Sequence, residues 1–138
     1  MVQVWNMETH SKVWQFQHDR TVNCVQLQNK QLISCSDDEA TRIWDLDTGK
    51  EVRKLSHDGP CNNFDISPSK TILAVACGSG VVLWNFRLGT KMKEFKLGHK
   101  INDLRFNPAG NRIVAGSDDG RVFKIDLPDD YGDKDEES

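Results

Sequence analysis

The sequence predicts an all-β chain assembled from repeated four-stranded antiparallel units, and three observations carry that prediction. Segments opening at His18, His57 and His99 align with one another, their histidines 39 and 42 residues apart. Their closing positions, Trp44, Trp84 and Ile125, are 40 and 41 apart. Within each segment the elements are short, apolar or β-branched, and separated by turn residues, a pattern that favours strands over helices. A fixed period of this length sets the architecture before any single motif does.

The elements follow in order. A partial unit, about residues 1–17, contains VQVWN with Trp5. The first full unit runs from 18 to 55 and contains HDRTVNCVQLQNKQLISCSDDEATRIWD. In the second, 57–97, strands are expected at Cys61 to Ile66, Thr71 to Cys77, Val81 to Asn85 and Met92 to Leu97, with SPSK, GSG and RLGTK as turns. A Pro in such a turn presets φ for its second position. The third unit, 99–126, ends after its third strand, giving thirteen strands in all. The first strands read VNCVQL, CNNFDI and INDLRF, so Val22, Val25 and Leu27, with their counterparts Cys61, Phe64, Ile66, Ile101, Leu104 and Phe106, are expected in the core. A four-stranded meander cannot bury both faces alone and must stack on a neighbour of its kind.

Composition narrows the function classes. The final twelve residues, LPDDYGDKDEES, hold six acids and one Lys, leaving 15 acids against 17 bases in the body. Residues 127–138 therefore read as a solvated, disordered acidic tail on a nearly neutral domain. The four cysteines, Cys24, Cys35, Cys61 and Cys77, lack C-x-x-C or zinc-ligand spacing and lie in apolar runs, which predicts reduced core thiols and no metal site. No apolar run reaches about 18 residues and the start MVQVWNMETH lacks the features of a secretory signal, so a cytoplasmic or nuclear protein without membrane association is expected.

The His-to-Trp-Asp frame of about forty residues resembles that of the WD-repeat β-propeller family over residues 2–126. The likeness is strongest in the first full unit. Gly-His survives as Gly98-His99 but has become Gln17-His18 and Ser56-His57 elsewhere, and Trp-Asp is intact at Trp44-Asp45 alone. The resemblance implies propeller blades in an incomplete ring of about three, since closed rings typically have four to eight. It also implies that the chain corresponds to the C-terminal part of a larger propeller, a short isoform, or a half that self-associates or is completed by further blades.

His18, Ser34 and Asp38 have the residue types of an acyl-transfer triad. In the family, however, a His, a Ser, an Asp and a Trp at these places form a structural hydrogen-bond network, and the matching residues are His18, Ser34, Asp38 and Trp44. The later units carry Ala74 and Gly78, or Ala115 and Asp119, at the Ser and Asp positions, erosion that a scaffold tolerates and a catalytic site does not. The expectation is a non-enzymatic interaction scaffold without cofactors; a hydrolase is the less favoured alternative.

The second position of each first strand is Asn, at Asn23, Asn62 and Asn102, where the packing pattern makes no demand for an amide. Related propellers use this position, and the one before the turn Asp, to grip peptides on their top face. Carried over, the partner-binding candidates are Asn23, Asn62, Asn102, Asp37, Cys77 and Asp118, with proteins or peptides as partners. The basic residues between Arg87 and Arg105 offer an alternative, phosphate or nucleic-acid binding, but without aromatic interleaving for base stacking. His10 falls in a turn outside the repeat register, and no role is assigned to it.

Overall fold

The computed structural model describes residues 1–127, and among them every regular element is a β-strand. The thirteen expected strands are present. They form two compact units, residues 1–61 and residues 62 onward. The acidic tail lies outside the described residues except for Leu127. That residue, assigned to the tail from sequence, is 6% exposed in the core of the second unit, and its amide donates to the Asn111 carbonyl at 2.8 Å. Leu127 therefore belongs to the folded unit, because an apolar side chain next to β13 has a core within reach.

In the first unit, β1 (Val2–Asn6) and β2 (Ser11–Phe16) pair as a hairpin, and β3 (Val22–Gln28), β4 (Gln31–Ser36), β5 (Ala40–Asp45) and β6 (Glu51–Ser56) form an antiparallel sheet in sequential order. The hairpin lies on the sheet through Val2, Phe16, Leu32 and Trp44, with Val4, Trp14, Val22 and Leu46 at the margin. Phe16 stacks on Trp44 with ring centroids 4.6 Å apart. An indole of this size buries about 150–250 Å², about 4–6 kcal/mol as an upper bound.

The expected burial of Val25 and Leu27 is corrected by this arrangement. They are 49% and 62% exposed. Val25 pairs with Ser34 and Leu27 with Leu32, so all four share the sheet face that the hairpin covers. The hairpin is two strands wide and shelters Leu32, Ser34 and Trp44, while the β3 edge of the same face stays open to water.

The second unit, from Asn62, holds the remainder of β7 (Cys61–Ile66), whose first residue belongs to the first unit, with β8 (Ile72–Cys77), β9 (Gly80–Asn85) and β10 (Thr90–Lys96) in one sheet, and β11 (Ile101–Phe106), β12 (Arg112–Ser117) and β13 (Val122–Asp126) in another. Ile72, Ala74, Ala76, Val81 and Leu83 of the first sheet meet Ile101, Leu104, Ile113, Ala115 and Ile125 of the second in one core. Successive buried positions two apart are the strand period at work. Small alanines on β8 let the second sheet approach closely.

The loops between third and fourth strands repeat one design. Asn6, Asp45 and Asn85 each accept backbone amides at the side-chain oxygen, and each carbonyl accepts the amide four residues on, from His10, Gly49 and Gly89 at 2.7–2.8 Å. Those fourth residues adopt left-handed φ values of 57°, 73° and 71°. His10 is thus in register with the glycines, a correction to its sequence reading, which the side chain had disguised. At Gly49 the glycine is required twice, since a Cβ there would also run into the Trp14 ring.

Candidate functional site

The first full unit brings His18, Ser34, Asp38 and Trp44 into one chain of hydrogen bonds. Ser34 sits mid-β4 and Trp44 on β5, joined through the pairing of Leu32 with Trp44 and Ser34 with Arg42. His18 precedes β3 and Asp38 follows β4, so one end of the antiparallel strand pair collects both. His18 Nδ1 lies 3.0 Å from Asp38 Oδ2, His18 Nε2 is 2.6 Å from Ser34 Oγ, and Trp44 Nε1 donates to Ser34 Oγ at 3.0 Å.

The electrostatics fix the direction of each bond. Burial lowers the His18 pKa from its ordinary 6.5, outweighing the opposite influence of Asp38. Burial alone would raise Asp38, but the Asp19 amide, His18 and Arg42 together hold it below the usual 3.8. A neutral ring beside a carboxylate donates from Nδ1 to Asp38 and accepts at Nε2 from the Ser34 hydroxyl. Asp38 also accepts the Asp19 amide at 3.0 Å and faces Arg42 Nη2 at 3.6 Å.

These distances match an acyl-transfer triad, yet the setting does not. His18 is 1% and Ser34 0% exposed, and the Ser34 oxygen already holds the indole N–H. A carbonyl substrate has no approach to that oxygen, and the stacked Phe16 and Trp44 rings close the hairpin side. The arrangement ties strands together.

The later units are tied differently. His57 Nε2 lies 3.1 Å from Thr41 Oγ1. His99 Nδ1 reaches Asp119 at 2.9 Å, and Asp119 also accepts from Ser117 and from Arg121 Nε. The Ser117 hydroxyl first, then Arg121 and His99, hold the Asp119 carboxyl down at about 2. Ser117 stands two residues beyond the aligned Ala115, a substitute that alignment by register alone passes over.

The three asparagines have a structural role that the sequence reading did not foresee. Pairing of Val22 with Ser36 and Cys24 with Cys35 leaves Asn23 as an extra residue, and Ile101 with Ser117 and Asp103 with Gly116 does the same for Asn102. Such a bulge re-aims its side chain. Asn23 Nδ2 donates to Asp37 Oδ1 and to the Cys61 carbonyl, both at 2.8 Å, and Asn62 Nδ2 donates to the Ile101 carbonyl at 3.0 Å. Asn102 hydrogen-bonds Asp118, which also faces Lys100 at 3.7 Å. Each of the first two amides reaches the opening residue of the next first strand. Two further links of this kind, Asn63 to Asp103 at 2.7 Å and the Phe106 amide to Asp65 at 2.9 Å, went unnoticed because no strand-pair pattern announces them.

Of the partner-binding candidates, Asn23, Asn102 and Asp118 are exposed, and Asn62, Asp37 and Cys77 are half-buried. The basic stretch is interleaved with partners: Lys91 pairs with Glu94 at 2.7 Å, Arg105 with Asp103 at 3.2 Å, and Lys93 lies over the Phe95 ring. Among the described residues no group of three or more His, Cys, Asp or Glu is placed to hold a metal ion. No described helix is long and apolar enough to cross a membrane.

Comparison with known proteins gives a consistent picture. The family model described as WD domain, G-beta repeat matches residues 2–45 and 89–126. A WD repeat-containing protein 89 homolog of Dictyostelium discoideum is 33% identical over 99 residues, 70% of this chain and 27% of that protein. A guanine nucleotide-binding protein subunit beta of Zea mays is 29% identical over 110 residues, covering 72% and 29% of the two chains. A human serine-threonine kinase receptor-associated protein is 27% identical over 99 residues, covering 72% and 28%. The chain thus spans less than a third of the length of each of these relatives.

Proposed function

Because this chain belongs to the WD-repeat family, we propose that it serves as a non-enzymatic protein–protein interaction scaffold, a segment of repeat array that offers one end of its first strands to protein or peptide partners. The observation that carries the reading is the division of polar groups. His18, Ser34, Asp38 and Trp44 are turned inward and satisfied by one another, whereas Asn23 with Asp37 and Asn102 with Asp118 form polar pairs at the open ends of β3 and β11. Such a pair presents amide-oxygen and carboxylate acceptors to a peptide N–H or a basic side chain, since both Asn23 N–H groups are already used on Asp37 and the Cys61 carbonyl.

Bare apolar surface supports a second kind of contact. Val25 and Leu27 on β3 and Val122 on β13, the last 75% exposed, lie on edge strands of their sheets. Exposed edges with apolar side chains favour association, here with further blades or with a second copy. The names of the relatives, one a receptor-associated protein and one a subunit of a guanine nucleotide-binding protein, agree with work inside assemblies. The setting proposed is the cytoplasm or nucleus.

Affinity capture from cell extract with the wild-type chain and with an Asp37→Ala/Asp118→Ala variant tests the scaffold reading. Retention of protein partners at raised salt, weakened by the variant, is expected. Capture of nucleic acid that falls steeply with salt would move the function to the 87–105 stretch instead. Light scattering on the isolated chain measures whether it closes on itself.

A further inference from the structure

Two of the four cysteines face one another across a strand pair. Cys24 on β3 is the register partner of Cys35 on β4. Directly opposed residues of antiparallel strands have Cα atoms about 4.5–5.5 Å apart, within the range of about 4.4–6.8 Å that a disulfide spans. As register partners the two side chains stand side by side on one face of the sheet. Cys35 is fully buried, whereas Cys24, on the edge strand β3, is half-buried. Cys24 is therefore the more exposed member of the pair, with Cys35 one strand further in.

We propose that Cys24 and Cys35 form a peroxide-responsive thiol pair, oxidised to an intramolecular cross-strand disulfide. The reaction takes a hydroperoxide as co-reactant. The Cys24 thiolate attacks the outer peroxide oxygen, the O–O bond breaks, and the alcohol or water leaves with the proton, giving Cys24 sulfenic acid. Cys35 sulfur then attacks the Cys24 sulfur and the hydroxyl departs as water with the Cys35 proton, so two thiols and one hydroperoxide become one disulfide, one alcohol or water, and one water.

The division of roles follows from position. The hydrogen bond to Cys24, burial and the neighbouring Cys61 push the Cys35 thiol far up, so Cys35 keeps its proton and waits as the resolving group. Cys24, on the edge strand and the more exposed of the two, meets the oxidant first. The bulge at Asn23 is what places Cys24 opposite Cys35, since the pairing skips one residue there. A bridge with one sulfur on an edge strand is exposed enough to be reduced again by cellular thiols, which suits a reversible mark.

The test treats the 138-residue chain with hydrogen peroxide, blocks free thiols under denaturing conditions, and maps peptides without reduction. The expected result is a Cys24–Cys35 linked peptide reversed by dithiothreitol, with titratable thiols falling from four to two per chain. A Cys24→Ser variant should lose the bridge, and a Cys77→Ser variant should keep it. Because the wild-type peptide map needs no variant, a misfolded mutant does not blunt the test. Bridges through Cys61 or Cys77, intermolecular dimers, Cys24 driven to sulfinic acid while Cys35 stays free, or unmodified thiols would each overturn the proposal.

Discussion

Replacing Ser34 with alanine removes one oxygen and strands two buried groups. Trp44 Nε1 loses its acceptor at 3.0 Å and His18 Nε2 its donor at 2.6 Å, in a place where neither can turn to water. Each orphaned group costs about 1–3 kcal/mol, and allowing for some local rearrangement the variant should be less stable by about 2–4 kcal/mol. That is a large part of a domain's usual margin of about 5–15 kcal/mol. Urea unfolding followed by tryptophan fluorescence measures the loss, and native-state hydrogen exchange locates it in β3 to β6. The same cost should overlap with that of Asp38→Ala, because both act on one chain of bonds, so the double variant should lose less than the sum of the singles. A loss under about 0.5 kcal/mol, or strict additivity, would refute the view that the four residues act as a unit.

The remaining predictions concern charge, turns and surface. His18 has its pKa lowered by burial, so between the ordinary 6.5 and that lower value the unfolded chain binds a proton that the folded chain refuses; stability is full above pH 6.5 and falls as pH drops. A His18→Gln variant should flatten that part of the stability profile, while the Asp38 contribution, present above pH 3.8, fades only in stronger acid. His10→Gly should stabilise by up to about 1 kcal/mol in urea unfolding, since a β-carbon at φ 57° is strained, whereas Gly49→Ala should destabilise by more than about 1 kcal/mol because of both φ and the Trp14 ring. Val25→Thr with Leu27→Gln should change stability by no more than about 0.5 kcal/mol while reducing the mass seen by light scattering, if the bare edge of β3 drives association.

Much of this architecture is legible in the residues. The strand ranges follow from short apolar or β-branched runs set between turn residues, and Trp44 and Trp84 mark the same place in successive units. The His18 to Trp44 network is legible through resemblance and through its erosion at Ala74 and Gly78. Other features depend on geometry that no single strand encodes. The reach of Asn23 to Cys61 needs a bulge, and the bulge also decides that Cys24 opposes Cys35 rather than a neighbour. Val25 and Leu27 look like core because their own strand alternates correctly, but burial depends on the width of the layer above them. His10 escaped notice because a histidine does a glycine's task.

The one-way hydrogen bonding around His18 has a spectroscopic consequence. With Asp38 able only to accept and the indole of Trp44 able only to donate, the imidazole hydrogen has a single seat, Nδ1. Nitrogen chemical shifts of that ring should therefore display the rarer Nδ1–H tautomer, in slow exchange with solvent. Loss of that signature would register loosening of the hairpin over the sheet before the strands themselves come apart.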